Sequence, residues 1–220
     1  MAPGASPRRV LPPGRGGGRE RRLGASGCEH GRATGVRTPR GQVLDADVVL
    51  LAAGAATPAV LADIGVPVPD GTTAGLLVRT APLRHPLRAV LNTPRVAVRP
   101  APGSRFVLDA GWSEQEVHRR DDGSFEVRDS TVAGLIEEAR AVLDGRPQLE
   151  VESYGVGAKP VPGDGNPVLG PVPGVDGLFT AFTHSGATLG LIAGELLADE
   201  ILDGAEHPLL APFRLSRFTG

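Results

Sequence analysis

The run Asp47-Val48-Val49-Leu50-Leu51-Ala52-Ala53-Gly54 constrains the fold more than any other stretch of this 220-residue chain. Four consecutive large aliphatic residues leave no polar face. They predict a strand buried on both sides, in a parallel or mixed sheet lying under helices. The run stops at Ala53, Gly54, Ala55 and Ala56, whose small side chains let another backbone or a flat ligand approach closely. Tight strand-to-helix packing accounts for the same residues, and the sequence leaves both readings open. Thr57 suits an N-cap with Pro58 behind it, and Gly65 with Pro67 ends a short helix carrying Val60, Leu61 and Ile64. Upstream, residues 36–38 and 42–44 flank Pro39-Arg40-Gly41 and read as a hairpin.

The chain in front of that hairpin is a different kind of polypeptide. Nine arginines stand against two glutamates in residues 1–40, although the whole chain has a net charge of −2, so the remainder is distinctly acidic. Residues 1–35 are mostly Pro, Gly and Arg, with too little apolar surface to offset ordering entropy, and are expected to be disordered. Clustered Arg suits phosphates, yet the segment lacks aromatics for base stacking and an amphipathic period, so no nucleic-acid partner is assigned. The single Cys28 cannot form an internal disulfide. The longest apolar run, residues 48–62, is too short for a membrane span and holds Pro58. No membrane association and a cytoplasmic location are the expectations.

From residue 66 to 153 short β-type pieces alternate with Pro and Gly, at 76–80, 89–91, 96–98 and 106–110, which predicts an antiparallel sheet. Val132, Leu135, Ile136, Ala139, Val142 and Leu143 recur at three and four and predict one helix, started by Asp129 or Ser130 and closed by Gly145 and Pro147. A strand over 149–156 follows, and the lone Trp112 is read as a packing residue.

Two constellations near the carboxy terminus carry chemistry. The first, Gly155-Val156-Gly157-Ala158-Lys159-Pro160-Val161-Pro162-Gly163-Asp164-Gly165-Asn166-Pro167, fixes a single Lys between a strand end and a rigid loop. A cation there suits an anionic substrate group or the electron-rich edge of a cofactor, and an exposed surface Lys is the plainer alternative. The second is a strand over 178–182 that feeds Thr183-His184-Ser185-Gly186-Ala187-Thr188 and then a helix, 189–202, with Leu189, Ile192, Ala193, Leu196, Leu197 and Ile201 on its packed face. Free N–H groups and the positive dipole end at such a helix start favour an anion or a polarised carbonyl. Adjacent His184 and Ser185 cannot form a nucleophile–base–orienter geometry, and one His with no spaced partner makes no metal site.

Taken in order, the Ala-Ala-Gly strand end, the β-rich middle, the Lys-Pro-x-Pro-x-Asp-Gly-x-Pro loop and the HSGATLGLIAGELLADEI helix resemble one family. It is the carboxy-terminal part of the FAD-dependent oxidoreductases that include D-amino-acid oxidase, glycine oxidase and sarcosine oxidase, over residues 36 to about 213. The resemblance implies an α/β (α+β) fold in which an incomplete Rossmann-like FAD-binding domain, residues 36–65 and 154–213, is interleaved with an antiparallel-sheet substrate domain, 66–153, with 214–220 as a tail. It implies FAD as cofactor, an amino-acid or secondary-amine substrate oxidised at its CH–NH group by hydride transfer, and Lys159 at the substrate carboxylate or flavin edge. Ala53, Gly54, His184, Ser185, Gly186, Ala187 and Thr188 are the implied cofactor-binding residues. One departure stands out: family members begin with a strand, a Gly-x-Gly-x-x-Gly turn and a helix for the ADP half of FAD. Here Gly14, Gly16, Gly17 and Gly18 miss that spacing, with Arg19 in the third position. The chain therefore reads as incomplete, and an inactive remnant, or a subunit needing a partner chain with the nucleotide-binding half, is the alternative to a working enzyme. A small binding module with a basic arm is the third reading.

Overall fold

The computed structural model describes residues 28–38, 40–122 and 124–218. The chain begins with short strands, β1 (Cys28–Glu29), β2 (Arg32–Ala33), β3 (Gly35–Arg37), β4 (Val43–Asp45) and β5 (Val49–Leu51). A single 3-10 turn, Gly54–Ala56, then leads into α1 (Thr57–Ala62). Next come β6 (Thr73–Thr80), β7 (Leu91–Asn92), β8 (Ala97–Ala101), β9 (Arg105–Asp109), α2 (Gly111–Gln115), β10 (His118–Arg119), β11 (Phe125–Glu126), α3 (Asp129–Val142) and β12 (Val151–Lys159). The last part holds β13 (Val168–Pro171), β14 (Leu178–Phe182), α4 (Gly186–Asp203) and two 3-10 segments, Pro208–Phe213 and Leu215–Phe218. This is the mixed helix-and-sheet class expected from the sequence. Two compact units emerge: Ala74–Ala158, and the segments that end at Thr73 and resume at Lys159.

The Ala74–Ala158 unit is built on a five-stranded sheet, ordered β12-β6-β9-β8-β7. The β6/β9, β9/β8 and β8/β7 pairs are antiparallel, as the Pro- and Gly-punctuated sequence predicts. The helix expected from the three–four repeat is α3, whose Val132, Leu135, Ile136 and Ala139 pack into a core with Leu76, Val78, Phe106 and Leu108. Its start differs from expectation. Arg128 occupies the N-cap without a side-chain cap, and Asp129 sits in the first turn, where its charge complements the helix dipole. Trp112 is a packing residue: its indole N–H donates to the Arg95 carbonyl at 2.8 Å, and its ring lies over Gly134 of α3.

The other unit is organised by a three-stranded sheet, β13-β14-β5. β14 pairs antiparallel with β13 and parallel with β5, in the register Leu178↔Val49, Phe179↔Leu50, Thr180↔Leu51. Paired residues share a face. One face, with Val49, Leu51, Leu178 and Phe182, packs against Leu61 of α1, Ala33, Val168 and Leu215. The opposite face, with Phe179, Ala181 and Leu169, receives Ala193 and Leu197 of α4 together with Leu210.

Three expectations are corrected in this unit. The Asp47–Gly54 run is not buried on both sides: Val49 and Leu51 are, but Val48 is 38% and Leu50 42% exposed. Among the described residues β5 is an edge strand, and α4 packs over β13 at the other edge, so that Leu50 stays partly exposed. The N-cap of α1 is Ala56, because the 3-10 turn carries the chain into the helix one residue early; Thr57 is fully buried, its hydroxyl among the buried atoms with no hydrogen-bond partner. α4 starts at Gly186 and buries a narrower stripe than expected: Ala193, Leu197 and Glu200 are buried, while Ile192 is 48% exposed.

The disorder expected for residues 1–35 falls mainly on 1–27, outside the described residues. From Cys28 onward the chain is paired, so that boundary moves. Ala33 is completely buried and donates its N–H to the Asp176 carbonyl, while Asp176 donates to Gly31. Because these partners lie more than 140 residues away, the local sequence carries no sign of them. The expected hairpin appears as β3/β4, paired Gly35↔Asp45 through Arg37↔Val43. Among the described residues, no helix is long and apolar enough to cross a membrane.

Candidate functional site

β5 and β14 run in the same direction side by side, so their carboxyl ends emerge at one edge of the sheet. From β5 come Ala53 and Gly54; from β14 come Thr183, His184 and Ser185, followed by the first residues of α4. The sequence separates these segments by some 130 residues, and the parallel pairing unites them. Loops at the carboxyl ends of neighbouring parallel strands are where open α/β sheets hold ligands.

Gly54 has φ +58°, a conformation that favours glycine, and a Cβ placed there would meet no heavy atom within 4 Å. The chain turns sharply while leaving the space above it open. On the facing segment, Ser185 is the N-cap of α4 without a side-chain cap, and its own N–H is taken by the Thr183 hydroxyl at 3.1 Å. The Thr188 and Leu189 N–H groups donate to the Ser185 carbonyl. Those of Gly186 and Ala187, earlier in the first turn, have no carbonyl within the helix to bond. Gly186, like Gly54, would place a Cβ in open space, and His184, Gly186, Ala187 and Thr188 are exposed. The dipole of the 18-residue α4 adds partial positive charge at this end. The two strand ends thus present small residues, Ala53, Gly54 and Gly186, together with the Gly186 and Ala187 N–H groups.

Lys159 is carried by a different segment, as the last residue of β12 rather than a loop residue. The loop that follows is fastened at two places. Gly71 donates to the Val161 carbonyl and Gly163 to the Pro69 carbonyl, both at 2.8 Å, and Asp70 forms a bridge with Pro162. Farther along, Asp164 takes a double contact from Arg217, Nε to Oδ2 at 2.8 Å and Nη2 to Oδ1 at 3.0 Å, while Arg217 also donates to the Asn166 carbonyl. The structure thus joins Ala53 and Gly54 to residues 184–188, and sets Lys159 on a separately anchored strand end. The Asp164–Arg217 clamp was missed by sequence reasoning, because nothing in the sequence links residues 53 positions apart. Among the described residues no group of three or more His, Cys, Asp and Glu could hold a metal ion.

The clamp gives a pH prediction. Hydrogen bonds from Arg217 hold the Asp164 carboxyl down at about 2, from an ordinary value of 3.8. Its folded value is depressed, so its stabilising contribution is complete above 3.8 and is lost as pH falls through 2. Between those values, amide exchange across 161–166 is expected to accelerate, and Asp164→Asn should show that faster exchange already at neutral pH. Equal protection in wild type and variant at neutral pH would mean that the clamp does not hold the loop.

Two further histidines, His85 and His207, make structural contacts. His85 accepts from the Leu87 N–H, lies edge-on to Phe106 and faces the Asp144 carbonyl. His207 accepts from the Leu209 N–H at the start of a 3-10 segment.

The chain matches the FAD dependent oxidoreductase family over residues 19–200. It is similar to D-amino acid dehydrogenase from Xanthobacter autotrophicus, 28% identical over 177 residues, and from Methylobacterium nodulans, 31% identical over 180 residues. Each match covers 79% of this chain and 41% of the relative, so the chain spans less than half the length of the curated relatives it matches. Among solved structures, glycine oxidase from Geobacillus kaustophilus shares the fold with a TM-score of 0.62 at 24% identity, covering 83% of this chain and 48% of that one. The sequence match spans the greater part of the chain, including the β5–Gly54 turn and most of α4; the chain belongs to the FAD dependent oxidoreductase family.

Proposed function

We propose that this chain is the flavin-holding and substrate-binding part of an FAD-dependent oxidoreductase acting on the CH–NH group of an amino acid or secondary amine. The observation that carries the reading is the convergence of the Gly54 turn and the α4 start at the ends of two parallel strands. FAD, when bound, supplies acceptance of a hydride from the substrate carbon beside nitrogen. The protein's part is to bind and orient. Ala53 and Gly54 admit the cofactor without steric conflict, and the Gly186 and Ala187 N–H groups with the α4 dipole favour negative charge on the ring edge against them. His184, Ser185 and Thr188 complete the rim. Lys159 binds the substrate carboxylate or the flavin edge. In this reading the Ala74–Ala158 unit is the substrate domain, and the other unit belongs to the FAD-binding domain.

Replacing Lys159 tests the substrate assignment. In the FAD-loaded protein, Lys159→Ala should raise KM for a D-amino acid by about tenfold or more, the cost of losing a charged hydrogen bond, and leave the corresponding decarboxylated amine unaffected. Equal losses for both compounds would remove the carboxylate role.

A second reading is a subunit that works with a partner chain carrying the nucleotide-binding half. The exposure of Val48 and Leu50 along β5, 38% and 42%, favours it.

A further inference from the structure

A cleft of about 530 Å³ opens within the Ala74–Ala158 unit, between the chain that leaves β6 and the turn joining β8 to β9. Sites for small molecules commonly have this size. Its apolar walls come from Leu83, Leu87, Pro100, Ala101 and Phe106, and its polar rim from Arg84, Ser104 and Arg105. None of these residues takes part in the flavin or substrate reading above.

Both sides of the cleft are fastened. The Leu83 N–H donates to the Ser104 carbonyl at 2.6 Å, which ties the segment after β6 to the β8–β9 turn. The Leu87 N–H donates to His85 Nδ1, which leaves the ring proton on Nε2 to meet the Asp144 carbonyl, each at 3.2 Å. With both nitrogens engaged by backbone and its ring edge-on to Phe106, His85 shapes the wall rather than reaching for a ligand. Arg105 is held from the other side: Nε donates to Glu152 Oε2 at 2.9 Å, Nη2 to Glu152 Oε1 at 2.7 Å and Nη1 to the Gly103 carbonyl at 3.2 Å. Glu152 offsets its charge, so Arg105 brings the rim spare N–H groups and little net charge. Arg84 differs. It is exposed, and among the described residues no carboxylate pairs with it. The cleft therefore combines apolar walls with one uncompensated positive charge.

We infer that this cleft is a binding site for a small monocarboxylic acid with an apolar body. A planar carboxylate matches the Arg84 guanidinium in charge and geometry. The spare Arg105 N–H groups and the Ser104 hydroxyl line the same rim, and the hydrocarbon body leaves water against Leu83, Leu87 and Pro100. A single net charge suits a monoanion better than a phosphate dianion, and apolar walls give a bare inorganic ion nothing to bury.

The test titrates the full chain, without FAD, with 3-phenylpropionate, with the near-isosteric neutral 3-phenylpropionamide and with inorganic phosphate, read by calorimetry and by backbone amide NMR shifts. The carboxylate is expected to shift the Arg84, Leu87 and Ser104 amides saturably, and the amide and phosphate to bind about tenfold more weakly or worse. Arg84→Gln should weaken the carboxylate about tenfold or more and leave the neutral amide unchanged. Arg88→Gln, on the same segment but outside the cleft lining, should leave both unchanged. Both arginines are exposed, so each variant is expected to keep the wild-type thermal midpoint. Equal affinity for the carboxylate and either control, equal losses in Arg84→Gln and Arg88→Gln, or carboxylate binding that shifts only Lys159 and the α4 start would overturn the inference. Because no flavin is present, this outcome and the fate of the flavin reading are decided separately.

Discussion

Glu200→Ala is expected to destabilise the protein by about 3–5 kcal/mol, the cost of leaving the other member of a buried ion pair uncompensated. Glu200 is 5% and Arg214 9% exposed, and they meet in a bidentate pair, with Arg214 Nη1 to Glu200 Oε2 at 2.9 Å. Glu200 also accepts from the His207 N–H, and Arg214 donates to the Leu169 carbonyl of β13. The pair therefore ties α4 to the carboxy-terminal 3-10 segments and to the sheet. Gly170 completes the arrangement: its φ is +122°, and a Cβ there would fall on the Arg214 guanidinium. Burial pushes the Glu200 carboxyl up, but Arg214 and the His207 N–H outweigh it, and the net position is below the usual carboxylate range. Urea unfolding of wild type and Glu200→Ala measures the loss. The double variant Glu200→Leu/Arg214→Met should recover most of it, because an apolar pair of similar volume leaves no buried charge. A single variant as stable as wild type would show that the pair contributes nothing to anchoring α4.

The second large effect is on the cofactor. Gly186→Val should weaken FAD binding by roughly 10–100-fold, the equivalent of about 1–3 kcal/mol of forced overpacking. The added side chain enters the open space at the α4 start, where it touches no protein atom. Thermal unfolding without FAD should therefore be nearly unchanged. That combination, intact fold and lost flavin, separates a ligand role from a structural one. Unchanged FAD affinity would place the cofactor somewhere other than the α4 start.

The segments that make up the candidate site were legible in the sequence because each is a local signal. The small-residue end of the Asp47–Gly54 run and the His184–Thr188 start of α4 each announce themselves within a few residues. Their meeting was reachable only through the family resemblance, since the parallel pairing of β5 with β14 spans about 130 residues. Long-range contacts were illegible for the same reason. Ala33 on Asp176, Asp164 on Arg217 and Glu200 on Arg214 leave no periodicity, and a buried charged pair looks in sequence like two surface residues. The failure at Leu50 has another cause. Four consecutive aliphatics do mark a strand made for cover on both faces, and the structure leaves one side of it bare.

The most direct test of the account is an FAD titration of the purified chain, followed by visible absorption and by gel filtration of the mixture. Saturable uptake of one FAD per chain is expected, with flavin bands that travel with the protein and are lost in Gly186→Val. A chain that stays colourless at every FAD concentration, with and without its substitution at Gly186, would contradict the claim that the β5 and α4 ends form a flavin site.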